Sequence, residues 1–150
     1  MSIPREILTM DDLAALMVDV IEAMEVSDMP RAEHLADLEL SSELVLDGDA
    51  RYRFGISGSG AVVAGLATYW LHVPLPEVSE TDALDGLGEL LNVCAGGLKA
   101  MIDGEFTIGI PSLSVGPLDN ADAGMWIAVP LFSGTLQVYF GLPVDADVPA

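Results

Sequence analysis

Positive charge is nearly missing from this chain. Of its 150 residues only Arg5, Arg31, Arg51, Arg53 and Lys99 are cations, against 24 Asp and Glu, for a formal charge of −19. A field of that sign repels phosphate backbones and anionic lipid, which argues against nucleic-acid and membrane-surface binding. Two readings of the acidity stand: it keeps a greasy domain soluble, or it favours a partner with a basic face. Cysteine is equally scarce. Cys94 alone excludes an internal disulfide and fits a reducing cytoplasm. No basic stretch precedes an apolar one at the N-terminus, so no signal peptide is expected. His34 and His72 lie in different segments, with no carboxylate or cysteine at ligand spacing, so no metal site is expected. Neither a Gly-x-Ser-x-Gly nucleophile elbow nor a Gly-x-x-x-x-Gly-Lys phosphate loop occurs. Residues 54–76 carry no formal charge, but glycines 55, 58 and 60 break the run early and Pro74 and Pro76 break it late. The apolar remainder, residues 61–71, is too short to span a bilayer and reads as a buried helix.

What is present is hydrophobic. Half of the residues (51%) are apolar, which argues against disorder, and the length suits a single domain, residues 1–150, with an ordered core at about 8–142 and an acidic C-terminal tail. Thr9 precedes Leu13, Leu16, Met17, Val20, Ile21 and Met24 at helical spacing, predicting an amphipathic helix over residues 10–24. Residues 25–37 read as a loop. Alternating residues 38–46 and 50–56 flank Asp47-Gly48, a strong hairpin signal, and a Gly-Ser-Gly run then turns the chain into the buried helix. Residues 73–80 form a proline-containing connection, and Ser79 or Thr81 can cap the helix that follows. After Asp103-Gly104 the period changes to two. Phe106, Ile108 and Ile110 alternate with polar or small residues, and Leu113 and Val115 follow. Residues 125–132 and 135–142 are joined by Ser133-Gly134 as a second hairpin. The expected fold is α+β, an antiparallel sheet of about six strands packed against helices. Trp70 and Trp126 are most simply core aromatics.

One predicted helix, residues 84–102, carries the chemistry. At about 100° per residue, Asp85, Glu89, Asn92, Gly96 and Lys99 share one narrow stripe, while Leu84, Leu87, Leu91, Cys94, Leu98 and Met101 form a separate apolar one. Glu89 and Asn92 stand three residues apart and can point into one crevice. Cys94 reads as a small buried residue rather than a nucleophile. Asp85 reads first as a cap of the helix start and second as a group orienting a partner, and Lys99 first as a solvated charge near the C-terminus and second as a phosphate contact. Glycine costs roughly 1 kcal/mol relative to alanine inside a helix, so Gly86, Gly88, Gly96 and Gly97 ask for a reason, such as close approach by a partner.

The run Asp85-x-x-x-Glu89-x-x-Asn92-x-x-x-Gly96 resembles the signature helix of the CheC/CheX/FliY phosphatases of bacterial chemotaxis, and is nearest to the CheX branch. The segment Ile108-Gly109-Ile110-Pro111-Ser112-Leu113-Ser114-Val115-Gly116 is similar to the strand-Pro-Ser/Thr-x-x-x-Gly run that follows this helix in the family. The helix departs from the pattern in being richer in glycine at Gly86 and Gly88. The resemblance implies a CheX-like fold and hydrolysis of the aspartyl phosphate on a response-regulator receiver domain, in the cytoplasm. It assigns catalysis to Asn92, which would hold a water in line with phosphorus, and to Glu89, which would anchor the receiver's lysine. Asp85, Gly96 and Lys99 would touch the partner. The chain would need no cofactor of its own, because Mg2+ comes with the receiver. A homodimer is compatible with the family. Two rival readings remain: a non-catalytic receiver-binding module, and a chemotaxis or flagellar assembly subunit using an exposed sheet edge.

Overall fold

Local signals set most of the elements in the computed structural model, which describes residues 9–26, 29–48, 51–102, 105–118 and 124–141. Helix α1 (Met10–Ala23) opens on a capping box, in which the Thr9 hydroxyl accepts from the Asp12 N–H and the Asp12 carboxylate accepts from the Thr9 N–H. Strands β1 (Glu39–Asp47) and β2 (Arg51–Ser59) pair antiparallel, and helices α2 (Gly60–Leu71) and α3 (Glu80–Met101) follow. Strands β3 (Thr107–Ile108), β4 (Ser112–Val115), β5 (Gly124–Leu131) and β6 (Gly134–Gly141) complete a six-stranded sheet in the order β3-β1-β2-β6-β5. Strand β4 pairs with β1 on the same side as β3, and every pairing is antiparallel. The architecture is the expected one of helices on an antiparallel sheet.

Period-two alternation selects the sheet face that the helices cover. Leu40, Leu44 and Leu46 of β1, Phe54 and Ile56 of β2, and Leu136 and Val138 of β6 join one buried cluster with Leu13 and Met17 of α1, Leu66 of α2 and Leu87, Leu91 and Leu98 of α3. Each such side chain contributes about 1.5–3 kcal/mol by leaving water. On the opposite face Arg53 is paired with Glu43 (Nε to Oε2, 2.9 Å), and its guanidinium carbon lies 5.6 Å from the Tyr139 ring centroid.

Several sequence expectations are corrected. The Gly-Ser-Gly run leads into the buried helix as expected, with Ser59 capping α2 at Gly60, but most of it is still strand. Ser57, Gly58 and Ser59 pair with Ser41, Leu40 and Glu39, because β1 offers ladder partners along the whole stretch. Asp47 is a strand residue facing Arg51, so three residues, 48–50, connect β1 to β2, of which 49 and 50 lie outside the described set. The second hairpin turns on Phe132-Ser133, since Gly134 already pairs with Leu131 and Phe132 takes the left-handed φ of 51°. The loop over residues 25–37 contains a 3-10 turn at Glu33–Leu35, and the proline connection holds another at Leu75–Glu77. Trp126 is not in the core. It is 38% exposed and lies against Tyr139, with ring centroids 4.8 Å apart, because its register places it on the face away from the helices. Trp70 is half-buried against Tyr69. The expected core limits at residues 8 and 142, and the acidic tail, fall outside the described residues.

Candidate functional site

The longest helix, α3, is fixed at its start by a second capping box: the Ser79 hydroxyl accepts from the Asp82 N–H and the Asp82 carboxylate accepts from the Ser79 N–H. Asp85 therefore does not cap the helix. It lies in the second turn with its side chain exposed.

The two stripes separate as the sequence spacing requires. Leu87, Leu91, Cys94 and Leu98 are fully buried, whereas Asp85, Glu89, Asn92, Gly96 and Lys99 are all exposed. Among the described residues, no hydrogen bond or ion pair engages the side chains of Asp85, Glu89, Asn92 or Lys99. The stripe nevertheless divides between two depressions. Asp85, Glu89 and Asn92 border a shallow groove of about 310 Å³, completed by Leu71, Gly88, Pro111 and Leu113. Gly96 and Lys99 border a separate depression of about 630 Å³ with Asp47, Glu105 and Thr107.

Internal packing accounts for three of the four helix glycines. A Cβ on Gly86 would stand 2.6 Å from the backbone nitrogen of Ala67, so α2 and α3 meet almost backbone to backbone there. Gly88 lets Leu113 rest on the helix, its Cδ2 only 3.1 Å from where a Cβ would be, and Gly97 accommodates Leu16 of α1. At Gly96 nothing lies within 4 Å, leaving bare backbone on the ridge. Of the four, Gly96 alone has no internal packing reason. Leu71 and Leu113 were not read as site residues from the sequence, because only the packing of α2 and β4 against α3 brings them beside Asn92 and Glu89.

Cys94 is closed off from chemistry. Burial alone pushes its thiol up to about 12, so it is protonated and unreactive at neutral pH. The raised value has a stability consequence. The buried neutral thiol contributes fully below the ordinary thiol range, near pH 8.5, and that contribution is lost as pH climbs toward about 12. Urea unfolding should show wild type losing on the order of 1 kcal/mol per pH unit more than Cys94→Ala above about pH 9. Parallel curves for the two proteins would show that the thiol does not carry the effect.

His34 hydrogen-bonds through Nε2 to the Val78 carbonyl (2.7 Å), and His72 forms the left-handed end of α2. Among the described residues no group of three His, Cys, Asp or Glu side chains could hold a metal ion.

The groove beside this exposed helix is shallow and offers one carboxamide and two carboxylates. It lies on the surface of an α+β domain, along the exposed ridge of α3. The chain belongs to the CheX family of chemotaxis phosphatases, whose family model matches residues 43–121, a segment that contains both α3 and the Pro111-to-Gly116 run. Among solved structures it is similar to CheX from Borrelia burgdorferi in a CheX-CheY-BeF3-Mg2+ complex (12% identity, 91% of this chain and 98% of that chain, TM-score 0.67). It is also similar to a chemotaxis protein CheX from Desulfovibrio desulfuricans (16%, 88% and 99%, 0.61) and to a CheC-like superfamily protein from Shewanella sp. PV-4 (15%, 91% and 99%, 0.64). At these identities the likeness is one of fold. No curated protein matches the chain.

Proposed function

We propose that this protein hydrolyses the aspartyl phosphate of a response-regulator receiver domain. The observation that carries the reading is the pair Glu89 and Asn92: exposed, one turn apart, free of partners among the described residues, and bordering one groove within the segment that matches the family. That a CheX of the same fold forms a complex with CheY supports a receiver as the partner.

In this reading α3 lies across the receiver's phosphorylation site. Glu89 accepts hydrogen bonds from the receiver's lysine, an attraction that the acidity of the chain reinforces over distance. The Asn92 carboxamide accepts a hydrogen bond from a water and holds it in line with the phosphorus. The water oxygen bonds to phosphorus as the bond to the aspartyl oxygen breaks. The aspartate carboxylate is restored, and the water's proton leaves with inorganic phosphate. A carboxamide takes no proton, so its contribution is position, which suits phosphoryl transfer. Mg2+ would come with the receiver and would screen the phosphoryl charge there; in this reading the chain supplies no metal ligand. Asp85 adds negative potential beside Glu89, while Gly96 and Lys99 extend contact along the ridge. The reading places the protein in the cytoplasm and includes a homodimer, for which the outer edge of β5, paired only with β6 among the described strands, is the candidate surface. Among the described residues, no helix is long and apolar enough to cross a membrane.

The test is the lifetime of receiver phosphate with and without the protein. Wild type should shorten it. Glu89→Lys, which sets one cation against another, should raise KM at least tenfold, by roughly 1.4 kcal/mol or more of lost docking energy. An unchanged lifetime in the presence of wild type would overturn the reading. Tight binding with that unchanged lifetime would select the docking module instead.

A further inference from the structure

Sequence alternation places Ile110 inward with Phe106 and Ile108, yet it is 92% exposed. The cause is one extra residue. Ile108 pairs with Leu46 and Ser112 with Glu43, so residues 109–111 on one side oppose only residues 44–45 of β1. The Gly109 N–H still donates to the Val45 carbonyl (2.8 Å), but the chain then bulges outward, and Pro111 has no N–H to return to the ladder. A bulge re-aims the side chains that follow it. Here it lifts Ile110 into solvent immediately before Pro111, which borders the groove of Glu89 and Asn92. Beyond Pro111, Leu113 remains 39% exposed where it rests against Gly88.

The groove therefore has two unlike sides, an acidic helix ridge of Asp85 and Glu89 and an apolar side made by Pro111, Leu113 and Leu71, and the exposed Ile110 is the chain neighbour of Pro111. Its lining holds two carboxylates and no cation, so a complementary occupant brings a cation on one side and apolar surface on the other. We infer that the β3–β4 bulge is the specificity element of the site. Ile110 and Leu113 seat an apolar side chain that the receiver domain carries beside its phosphorylation-site lysine, and so choose which receiver is served. This rests on the receiver reading given above. It assigns to the bulge binding alone: the apolar contact forms before the chemistry and persists through it, so it lowers KM and leaves kcat alone.

The experiment uses the full chain and the receiver domain that wild type binds most tightly within a panel. Two readouts are taken: phosphate decay, and titration of the receiver loaded with Mg2+ and BeF3. Ile110→Ser should raise KM, and the Kd for the loaded receiver, about tenfold, with kcat held within about twofold. Met10→Ser removes an apolar side chain that is 52% exposed at the start of α1, outside the groove lining, and should change neither constant. Unfolding midpoints of both variants should match wild type. If wild type hydrolyses and Ile110→Ser behaves like it, the inference falls and the catalytic reading stands. If wild type binds without hydrolysing and Ile110→Ser weakens that binding, the catalytic reading falls and the docking role stands. If wild type binds no receiver of the panel, both fall.

Discussion

Asn92→Ala should leave the domain folded and lower kcat for receiver dephosphorylation about 100-fold. The side chain is exposed and bonded to nothing among the described residues, so its loss creates no cavity and orphans no buried group. Alanine is the better helix former, and stability should stay level or rise by a few tenths of a kcal/mol. The whole effect then belongs to the reaction. Glu89 still docks the helix, so KM should move little while kcat falls, the signature of a contact made in the transition state. Asn92→Asp adds a diagnosis. It keeps the shape but sets a carboxylate against the phosphoryl group, and should be as poor as alanine because like charges repel. Single-turnover decay of receiver phosphate reads all three proteins. An alanine variant as active as wild type would remove Asn92 from the mechanism.

Gly86→Val should be the most damaging single change in α3, at about 3 kcal/mol or more. The first carbon of any side chain would already stand 2.6 Å from the Ala67 backbone nitrogen and 2.9 Å from the Leu66 carbonyl carbon. Backbone cannot step aside as a flexible side chain can, so α2 and α3 must separate. For a domain of this size the unfolding midpoint should drop by roughly 6–12 °C. Ten residues along the same helix the sign reverses. Gly96 has open space around it, and Gly96→Ala should stabilise by about 1 kcal/mol through helix propensity alone. Denaturant titrations of both variants check the contrast. A Gly86→Val variant as stable as wild type would contradict the packing described for the α2–α3 contact, and a destabilised Gly96→Ala would contradict the open space around Gly96.

The elements legible in sequence were those whose determinants are local. Thr9 with Asp12 and Ser79 with Asp82 are capping boxes written in neighbouring residues, and the two stripes of α3 follow from the 3.6-residue period. The antiparallel α+β architecture and the membership of the CheX family followed from the same patterns, together with the Glu89, Asn92 and Gly96 spacing and the later Pro111-to-Gly116 run. Register was less legible. Whether Ser57 to Ser59 turn or pair, and where the last hairpin bends, depends on what the facing strand offers. The bulge beyond Ile108 left no mark in the alternation, because an extra residue changes which face a side chain meets without changing the sequence pattern.

By itself the sequence determined that an acid and an amide share one polar ridge on an amphipathic helix, since helical geometry is fixed by the backbone whatever surrounds it. Tertiary structure alone decided how that ridge is divided. Packing of α2 and β4 placed Leu71, Pro111 and Leu113 beside Glu89 and Asn92, and left Gly96 and Lys99 bordering a different depression. It also decided the use of the glycines, turning Gly86 into a helix contact and Gly96 into open surface. Contacts between residues far apart in the chain depend on how whole elements pack, and no local spacing encodes that.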